Sequence, residues 1–169
     1  AKRWLVDTGC GSDLFSLKRL PARFRNDVVA GAPINFNTAN GPWTTNSRLP
    51  IATDPMGFGT TASPYLMADT PSVLSVGLRV VHHGYSQLWL NGKKPCLISP
   101  QGKIIILDEE NNCPYLMAEG LHSTVRDHSR LERLTGVAVR KGVLRLLDPL
   151  RLPDGERYSL DAVPAESDD

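Results

Sequence analysis

The chain opens on an apolar run that ends at an acidic residue. Trp4, Leu5 and Val6 favour a strand that is buried on at least one face. Asp7 and Gly9 then end that strand, because acidic residues and glycine are typical of turns. A carboxylate in this position is costly to bury unless another group pairs with it. The pattern therefore predicts a strand that delivers Asp7 to a turn, where its carboxylate has a specific use.

Alternating apolar and polar positions recur in short units that are separated by turn residues. Residues 34–38 alternate as a half-buried strand does, Asn40-Gly41 is a strong hairpin turn, and Trp43 begins the returning strand. The sequence therefore predicts a mainly β fold that is built from hairpins. The same pattern predicts further strands over 85–90, 95–98 and 103–107.

One short helix interrupts the predicted strands. Residues 73–77 form an apolar strand that ends in glycine, and residues 78–84 have the pattern of a short helix closed by Gly84. His82 and His83 fall in its last turn, where positive charge suits the helix dipole. Because adjacent helical residues do not share a face, this pair is not expected to bind a metal.

The pattern changes in the last third of the chain. From residue 121 onward, basic residues are interleaved with Leu and Val, and several prolines near the end break helices. The last residues are acidic. We predict one domain over 1–118, followed by a basic linker and an acidic tail over 119–169.

Composition narrows the classes of protein. The 169 residues are 41% hydrophobic and 22% charged, which is typical of one soluble globular domain. A net charge of +1 argues against a broad electrostatic surface for nucleic acid or an anionic membrane. No apolar stretch approaches the length that spans a bilayer. The chain opens inside a predicted strand and without Met, so we expect it to be a segment of a longer protein.

The cysteines point to a reducing compartment. The chain has three, Cys10, Cys96 and Cys113, which is an odd number without Cys-x-x-Cys spacing. That pattern argues against a disulfide framework. The spacing also gives no support to a zinc site made from these thiols and a histidine, so free, half-buried thiols are the preferred interpretation. We expect no metal and no cofactor.

The candidate chemistry lies at Asp7-Thr8-Gly9. A chain of this length contains this tripeptide by chance only a few per cent of the time, and the apolar run directly before it makes chance rarer. The tripeptide after such a strand resembles the active-site motif of aspartic proteases. The other interpretation is an ordinary turn at a strand end with a solvated aspartate.

Other segments follow this motif in an order that carries a narrower resemblance. First come the hairpin turn at 39–41, Pro71 and the apolar run at 73–78. A Gly-Tyr pair at 84–85, a turn at 101–102 and a closing Tyr-Leu pair at 115–116 follow. Their order resembles the retropepsin-like protease segment of copia-type retrotransposon Gag-Pol polyproteins, over about residues 4–118. Thr8 and Cys10 stand where copia-type segments usually carry Ser and Ala.

The resemblance implies a fold and a mechanism. The fold would be a retropepsin-like acid-protease barrel of hairpins with one short helix, forming half of a two-fold dimer. The activity would be that of an aspartic endopeptidase, in which Asp7 and its copy in the second subunit activate a water molecule. Thr8 would hydrogen-bond across the dimer, and Gly9 would let the two carboxylates approach each other.

The resemblance also implies a substrate and a setting. The hairpin around Asn40, Gly41 and Trp43 would be the flap that covers the substrate and binds its backbone. The substrate would be the element's own polyprotein, and neither nucleic acid nor a membrane is an expected partner of the protease domain. The location would be the cytoplasm, including virus-like particles. Residues 119–169 would form a linker toward the integrase region.

Three other interpretations stay open. The chain could be a retropepsin-fold domain that has lost activity and serves as a dimerisation or binding module. The basic stretch over 126–145 could bind nucleic acid, although a solvated face or a linker is the more common role of such a stretch. The chain could also be a cellular retropepsin-like protease that is unrelated to a transposon.

Overall fold

The computed structural model describes residues 3–38, 41–50, 62–117 and 127–148. Most of their regular structure is β-strand, which confirms the predicted mainly β class. The strands are β1 (Arg3–Asp7), β2 (Leu14–Ser16), β3 (Val29–Thr38), β4 (Gly41–Arg48), β5 (Tyr65–Met67), β6 (Val73–Ser75), β7 (Ser86–Leu88), β8 (Cys96–Ile98), β9 (Ile104–Ile106), β10 (Asp108–Glu110), β11 (Cys113–Met117), β12 (Val137–Arg140) and β13 (Val143–Leu146). The helices are α1 (Val76–His83) and α2 (His128–Thr135), with 3₁₀ turns at Leu17–Arg19 and Ala22–Asp27. Within the described ranges, the helices lack the length and hydropathy that a bilayer span requires.

In this part of the chain, eight strands form the largest sheet, in the order β10-β11-β1-β6-β2-β5-β4-β3. Strands β7, β8 and β9 form a three-stranded sheet, and β12 and β13 form a separate hairpin. Strand β6 lies between β1 and β2, although β1 and β2 follow each other in the chain. Strand β1 runs parallel to β6, with Asp7 opposite Ser75. The loop that joins β1 to β2 therefore crosses the end of β6.

The core forms between the largest sheet and the three-stranded sheet. Along β1, Trp4 and Val6 are buried while their neighbours are more exposed, as expected of a strand with one buried face. These two side chains pack in one cluster with Leu97 of β8 and Ile105 of β9. Burying a side chain of this size contributes roughly 1.5–3 kcal/mol. This cluster therefore holds in place the strand that ends at Asp7.

Helix α1 confirms the predicted short helix, but it begins at Val76 rather than at residue 78. The reason is the side chain of Ser75, whose Oγ accepts a hydrogen bond from the Leu78 N–H at 3.2 Å and caps the helix. Gly84 ends the helix with a φ of 72°, as the sequence predicts. The preceding strand is correspondingly shorter than predicted.

The predicted barrel with one helix differs from the observed arrangement in two ways. In the described residues the largest sheet is open, because its end strands β10 and β3 do not pair with each other. Strand β10 consists of acidic residues alone, and β3 contains Pro33 and a register shift between Ala30 and Ile34. Charges, proline and irregular register all discourage pairing along a sheet edge. A second helix, α2, is also present.

Residues 127–148, which fall in the predicted basic linker, form α2 and the β12–β13 hairpin. The side chain of Asp127 caps α2 at its N-terminus. Val137 of β12 is fully buried in a cluster with residues of β8 and β9. The hairpin turns at Lys141 and Gly142, which both have positive φ. This part of the chain therefore packs on the three-stranded sheet. The other parts of the predicted linker and tail, 119–126 and 149–169, lie outside the described residues.

Candidate active site

Asp7 is the last residue of β1 and is half-buried where the loop to β2 begins. Its neighbour across the sheet is Ser75, the last residue of β6. The backbone N–H of Gly9 donates a hydrogen bond to Asp7 Oδ1 at 2.7 Å. A charged acceptor strengthens such a bond, so the Gly9 amide orients the carboxylate. The loop therefore presents Asp7 in a defined geometry.

Gly9 allows the carboxylate to lie this close to the loop backbone. A Cβ atom on Gly9 would lie 3.3 Å from Asp7 Oδ1, which is tighter than most real contacts of a Cβ atom. At Gly11, by contrast, a Cβ atom would meet nothing within 4 Å. Of these two loop glycines, Gly9 is the one whose missing side chain affects Asp7.

Thr8 lies on the exposed side of the loop. Its hydroxyl has no hydrogen-bond partner among the described residues of this single chain. Gly9 is exposed as well, so the loop surface after Asp7 is open to solvent. Asp7, Thr8 and Gly9 thus occupy one accessible loop, and the roles assigned to them stay predictions.

A buried ion pair lies at the far end of this loop. Asp13, just before β2, and Arg79, in α1, are exposed by only 4% and 1%. Arg79 Nη1 lies 2.7 Å from Asp13 Oδ1 and 2.8 Å from Asp13 Oδ2. The Ser75 N–H also donates a hydrogen bond to Asp13 Oδ1, at 2.8 Å. Asp13 therefore joins the end of the loop to the end of β6 and to α1.

Neither member of this pair is predicted from the sequence. The available indications were a charged residue directly before an apolar strand and an arginine between Leu78 and Val80. The pair joins positions 66 residues apart, and local periodicity does not specify a partner at that distance. Arg79 Nε and Nη2 make no hydrogen bond with any described residue. The contact with Asp13 is therefore the main compensation for burying the Arg79 charge.

Cys10 lies within the loop and is a free thiol. Its Sγ donates a hydrogen bond to the Ser12 backbone carbonyl at 3.0 Å. Burial, reinforced by the nearby carboxylates of Asp7 and Asp13, raises the pKa of the Cys10 thiol. Cys96 is fully buried, which raises its pKa to about 11. Among the described residues, no three His, Cys, Asp or Glu side chains are placed to hold a metal ion.

The predicted flap is the tip of the β3–β4 hairpin. Thr38 lies opposite Gly41 across the tip, and this pairing confirms the predicted hairpin. Gly41 has a φ of 104°, a backbone conformation that glycine adopts readily. Trp43 is exposed by 42% and lies opposite Phe36. Asn40, the other predicted flap residue, lies outside the described residues.

Packing links this hairpin to the Asp7 loop. The ring of Phe36 lies 5.9 Å from that of Tyr65 in an edge-to-face arrangement. Phe36 and Cys10 both pack against the buried cluster of Leu14, Met67 and Val73. Residues directly opposite each other on antiparallel strands project from the same face, so Trp43 leaves the hairpin on the face of Phe36. The indole therefore stands on the hairpin face that contacts this cluster.

The arrangement offers one oriented carboxylate on an open loop that is anchored at both ends. Such a carboxylate can accept or donate a proton, but acid and base catalysis together need a second titratable group. Asp13 does not supply that group, because it is buried and paired with Arg79. Comparisons with protein-family models, with curated proteins and with solved structures find no match to this chain.

Proposed function

We propose that this chain is an aspartic endopeptidase that acts as a homodimer. The observation that carries the proposal is the position of Asp7 at the end of a buried strand, with its carboxylate held by the Gly9 N–H at 2.7 Å. The Asp-Thr-Gly sequence at this position is the one that resembles aspartic proteases. The exposure of Thr8 supports a site that a second copy of the chain completes.

In the proposed dimer, a two-fold axis brings Asp7 opposite its own copy. Two carboxylates at hydrogen-bond distance do not both ionise readily, so the pair shares one proton and titrates as a unit. The charged carboxylate takes a proton from a water molecule, which attacks the carbonyl carbon of the peptide bond. The protonated carboxylate donates its proton to the carbonyl oxygen. The two carboxylates thus act as base and acid in the same step.

The anchoring of the loop supports this chemistry, because catalytic groups act only when they are held in position. Before the loop, the burial of Trp4 and Val6 holds β1 in the core. After the loop, Asp13 accepts hydrogen bonds from the Ser75 N–H and from Arg79. A carboxylate between two such anchors needs little reorganisation when a substrate binds.

The proposed substrate is an extended peptide, with the element's own polyprotein as the source that the resemblance implies. Trp43 is exposed on the hairpin face that contacts the buried cluster of Leu14, Met67 and Val73. This position suits a side chain that covers a bound peptide. The backbone around Gly41 would hydrogen-bond the peptide, which would then add to the hairpin as a strand does. Asn40 would complete this flap. A cytoplasmic location rests on the resemblance alone.

Cleavage of a peptide library at mildly acid pH tests the proposal. The wild-type chain is compared with Asp7→Asn, which removes the ionisable group with little change in volume. Asp69→Asn is the matched control, because Asp69 is an exposed aspartate outside the loop. Its Oδ2 atom lies 3.7 Å from Lys18 Nζ. We expect cleavage by the wild type and by Asp69→Asn, and none by Asp7→Asn. Cleavage that survives in Asp7→Asn would contradict the proposal.

Sedimentation of the same three proteins separates the inactive alternative from a failure to dimerise. A folded dimer that cleaves nothing would favour the dimerisation or binding module. A folded monomer that cleaves nothing would show that this chain does not complete the site by itself. Only a dimer with cleavage that depends on Asp7 supports the proposed mechanism.

A further inference from the structure

A groove separate from the Asp7 loop lies between α2 and the segment that joins β7 to β8. It is open to solvent and has a volume of about 620 Å³. We call it the Trp89 groove, and its lining includes Trp89, Lys93, Lys94, Glu109 and Arg133. None of its lining residues belongs to the Asp7 loop or to the β3–β4 hairpin. The groove is therefore a separate site.

Positive charge dominates the Trp89 groove. Lys93, Lys94 and Arg133 contribute three cationic groups against the one carboxylate of Glu109. These three cations outnumber by one the carboxylates of Glu109 and of Asp148, which lies beside Lys93. Lys93 Nζ lies 3.9 Å from the exposed carboxylate of Asp148. Within the described ranges, neither Lys94 nor Arg133 has an ion-pair partner, so both charges are available to a ligand.

The walls of the groove are fixed relative to each other. The Lys94 backbone N–H donates a hydrogen bond to the Leu134 carbonyl of α2 at 2.8 Å. Gly136, directly after α2, packs so closely that a Cβ atom there would lie 3.2 Å from Lys93 Cγ and 3.3 Å from Leu90 Cδ1. The groove therefore has its shape before a ligand binds, which reduces the ordering that binding requires.

Trp89 gives the groove an aromatic wall. Its side chain is exposed by 42%, so part of the indole is open to a ligand. Single-stranded nucleic acid binds to surfaces of this kind, because its bases stack on aromatic rings while its phosphates contact cations. An acidic peptide would use the cations but leave the indole without a stacking partner. The combination of Trp89 with cations therefore favours nucleic acid over a peptide.

We propose that the Trp89 groove binds single-stranded nucleic acid, with one base stacked on Trp89 and adjoining phosphates bound by Lys94 and Arg133. Glu109 can accept a hydrogen bond from the amino group of a base. The overall net charge argues against a nucleic-acid partner, but it does not report local clustering. The fold brings together cations from positions 40 residues apart, the distance in sequence between Lys93 and Arg133.

Fluorescence anisotropy of a short labelled oligodeoxyadenylate, whose bases carry the amino group that Glu109 would bind, is measured during titration with the full chain at low salt and tests the role of the cations. We expect Lys94→Gln with Arg133→Gln to weaken binding at least tenfold. The slope of log affinity against log salt should become shallower by about 1.4, since each contact to a single-strand phosphate contributes roughly 0.7. The control, Lys18→Gln with Arg19→Gln, removes two exposed positive charges outside the groove. An equal loss of affinity in that control would overturn the proposed site.

Substitution of Trp89 tests the stacking. We expect Trp89→Ala to weaken binding by roughly tenfold and Trp89→Phe, which keeps an aromatic face, to retain most of it. The charge variant carries the test if Trp89→Ala does not fold. Displacement of the oligonucleotide by polyglutamate, combined with unchanged binding by Trp89→Ala, would assign the groove to acidic peptides and overturn the proposal. Absence of binding by the wild type at low salt would also overturn it.

Discussion

Arg79 Nη1 in α1 donates a hydrogen bond to Asp13 Oδ1 at 2.7 Å, although the two residues lie 66 positions apart in sequence. Both side chains are almost fully buried. Together with the Ser75 N–H, which also bonds to Asp13, this pair ties two strands and a helix together beside the Asp7 loop. A buried ion pair adds little net stability, but a buried charge that has lost its partner is strongly destabilising. The base of the loop is therefore sensitive to substitution at either position.

Asp13→Asn should lower the free energy of unfolding by about 3–5 kcal/mol, because it leaves the Arg79 charge buried without a counter-charge. Urea denaturation followed by circular dichroism measures the change. Asp69→Asn breaks an exposed pair with Lys18 and should change stability by no more than about 1 kcal/mol. Equal stability of Asp13→Asn and the wild type would contradict the assigned role of the pair.

Gly9→Ala should reduce peptide cleavage by roughly tenfold or more, if the proposed activity is correct. The added methyl group would stand 3.3 Å from Asp7 Oδ1, so the carboxylate would have to shift by a few tenths of an ångström, and small displacements of catalytic groups are costly in rate. Gly11→Ala is the control in the same loop, because its methyl group would meet nothing within 4 Å. Measurement of kcat/KM for both variants should show a loss at Gly9 alone.

Val137→Ala should destabilise the protein by about 2 kcal/mol, because it removes buried methyl groups and leaves a cavity against the three-stranded sheet. Val143→Ala, on the other strand of the same hairpin, removes a side chain that is 50% exposed and should have an effect below about 0.5 kcal/mol. Thermal or urea unfolding compares the two. Equal, small changes in the free energy of unfolding would mean that the packing of residues 127–148 on the three-stranded sheet contributes little to stability.

Acid should weaken the contact between α2 and β12 that Glu132 and Arg140 form. The hydrogen bond from Arg140, with help from nearby His128, lowers the pKa of the Glu132 carboxyl below its ordinary value of 4.5. A lowered folded-state pKa contributes stability that is present above the ordinary value and is lost as the pH falls through the folded-state value. Urea midpoints at about pH 6 and about pH 3 should therefore differ more for the wild type than for Glu132→Gln. An identical shift of the urea midpoint in the wild type and in Glu132→Gln would exclude a contribution of the Glu132 carboxylate to the loss of stability in acid.

Local pattern predicts the elements of this fold well. The strand that ends at Asp7, the hairpin that includes Trp43 and the helix closed by Gly84 are all present. Alternation, turn dipeptides and helix caps act within a few residues, so a single sequence contains the necessary information. The Asp-Thr-Gly loop is visible for the same reason.

The contacts between distant elements could not be predicted in this way. No local pattern distinguishes Asp13, whose partner is in α1, from an aspartate that faces solvent. The insertion of β6 between β1 and β2 depends on pairing across the whole sheet. Likewise, the turn at Lys141 and the burial of Val137 were hidden in a stretch whose basic composition suggested a linker. The Trp89 groove exists only through such contacts.

Strand β1 has no partner strand that is close to it in sequence. Leu5 lies opposite Val73 of β6 on one side and opposite Tyr115 of β11 on the other. During synthesis, the strand that carries Asp7 is made before either neighbour, and pairing over such separations is slow. Its pairing with β11 can form only after residues 115–117 have left the ribosome. The Asp7 loop is therefore translated before both strands that flank β1, and the sheet around it is completed only with β11.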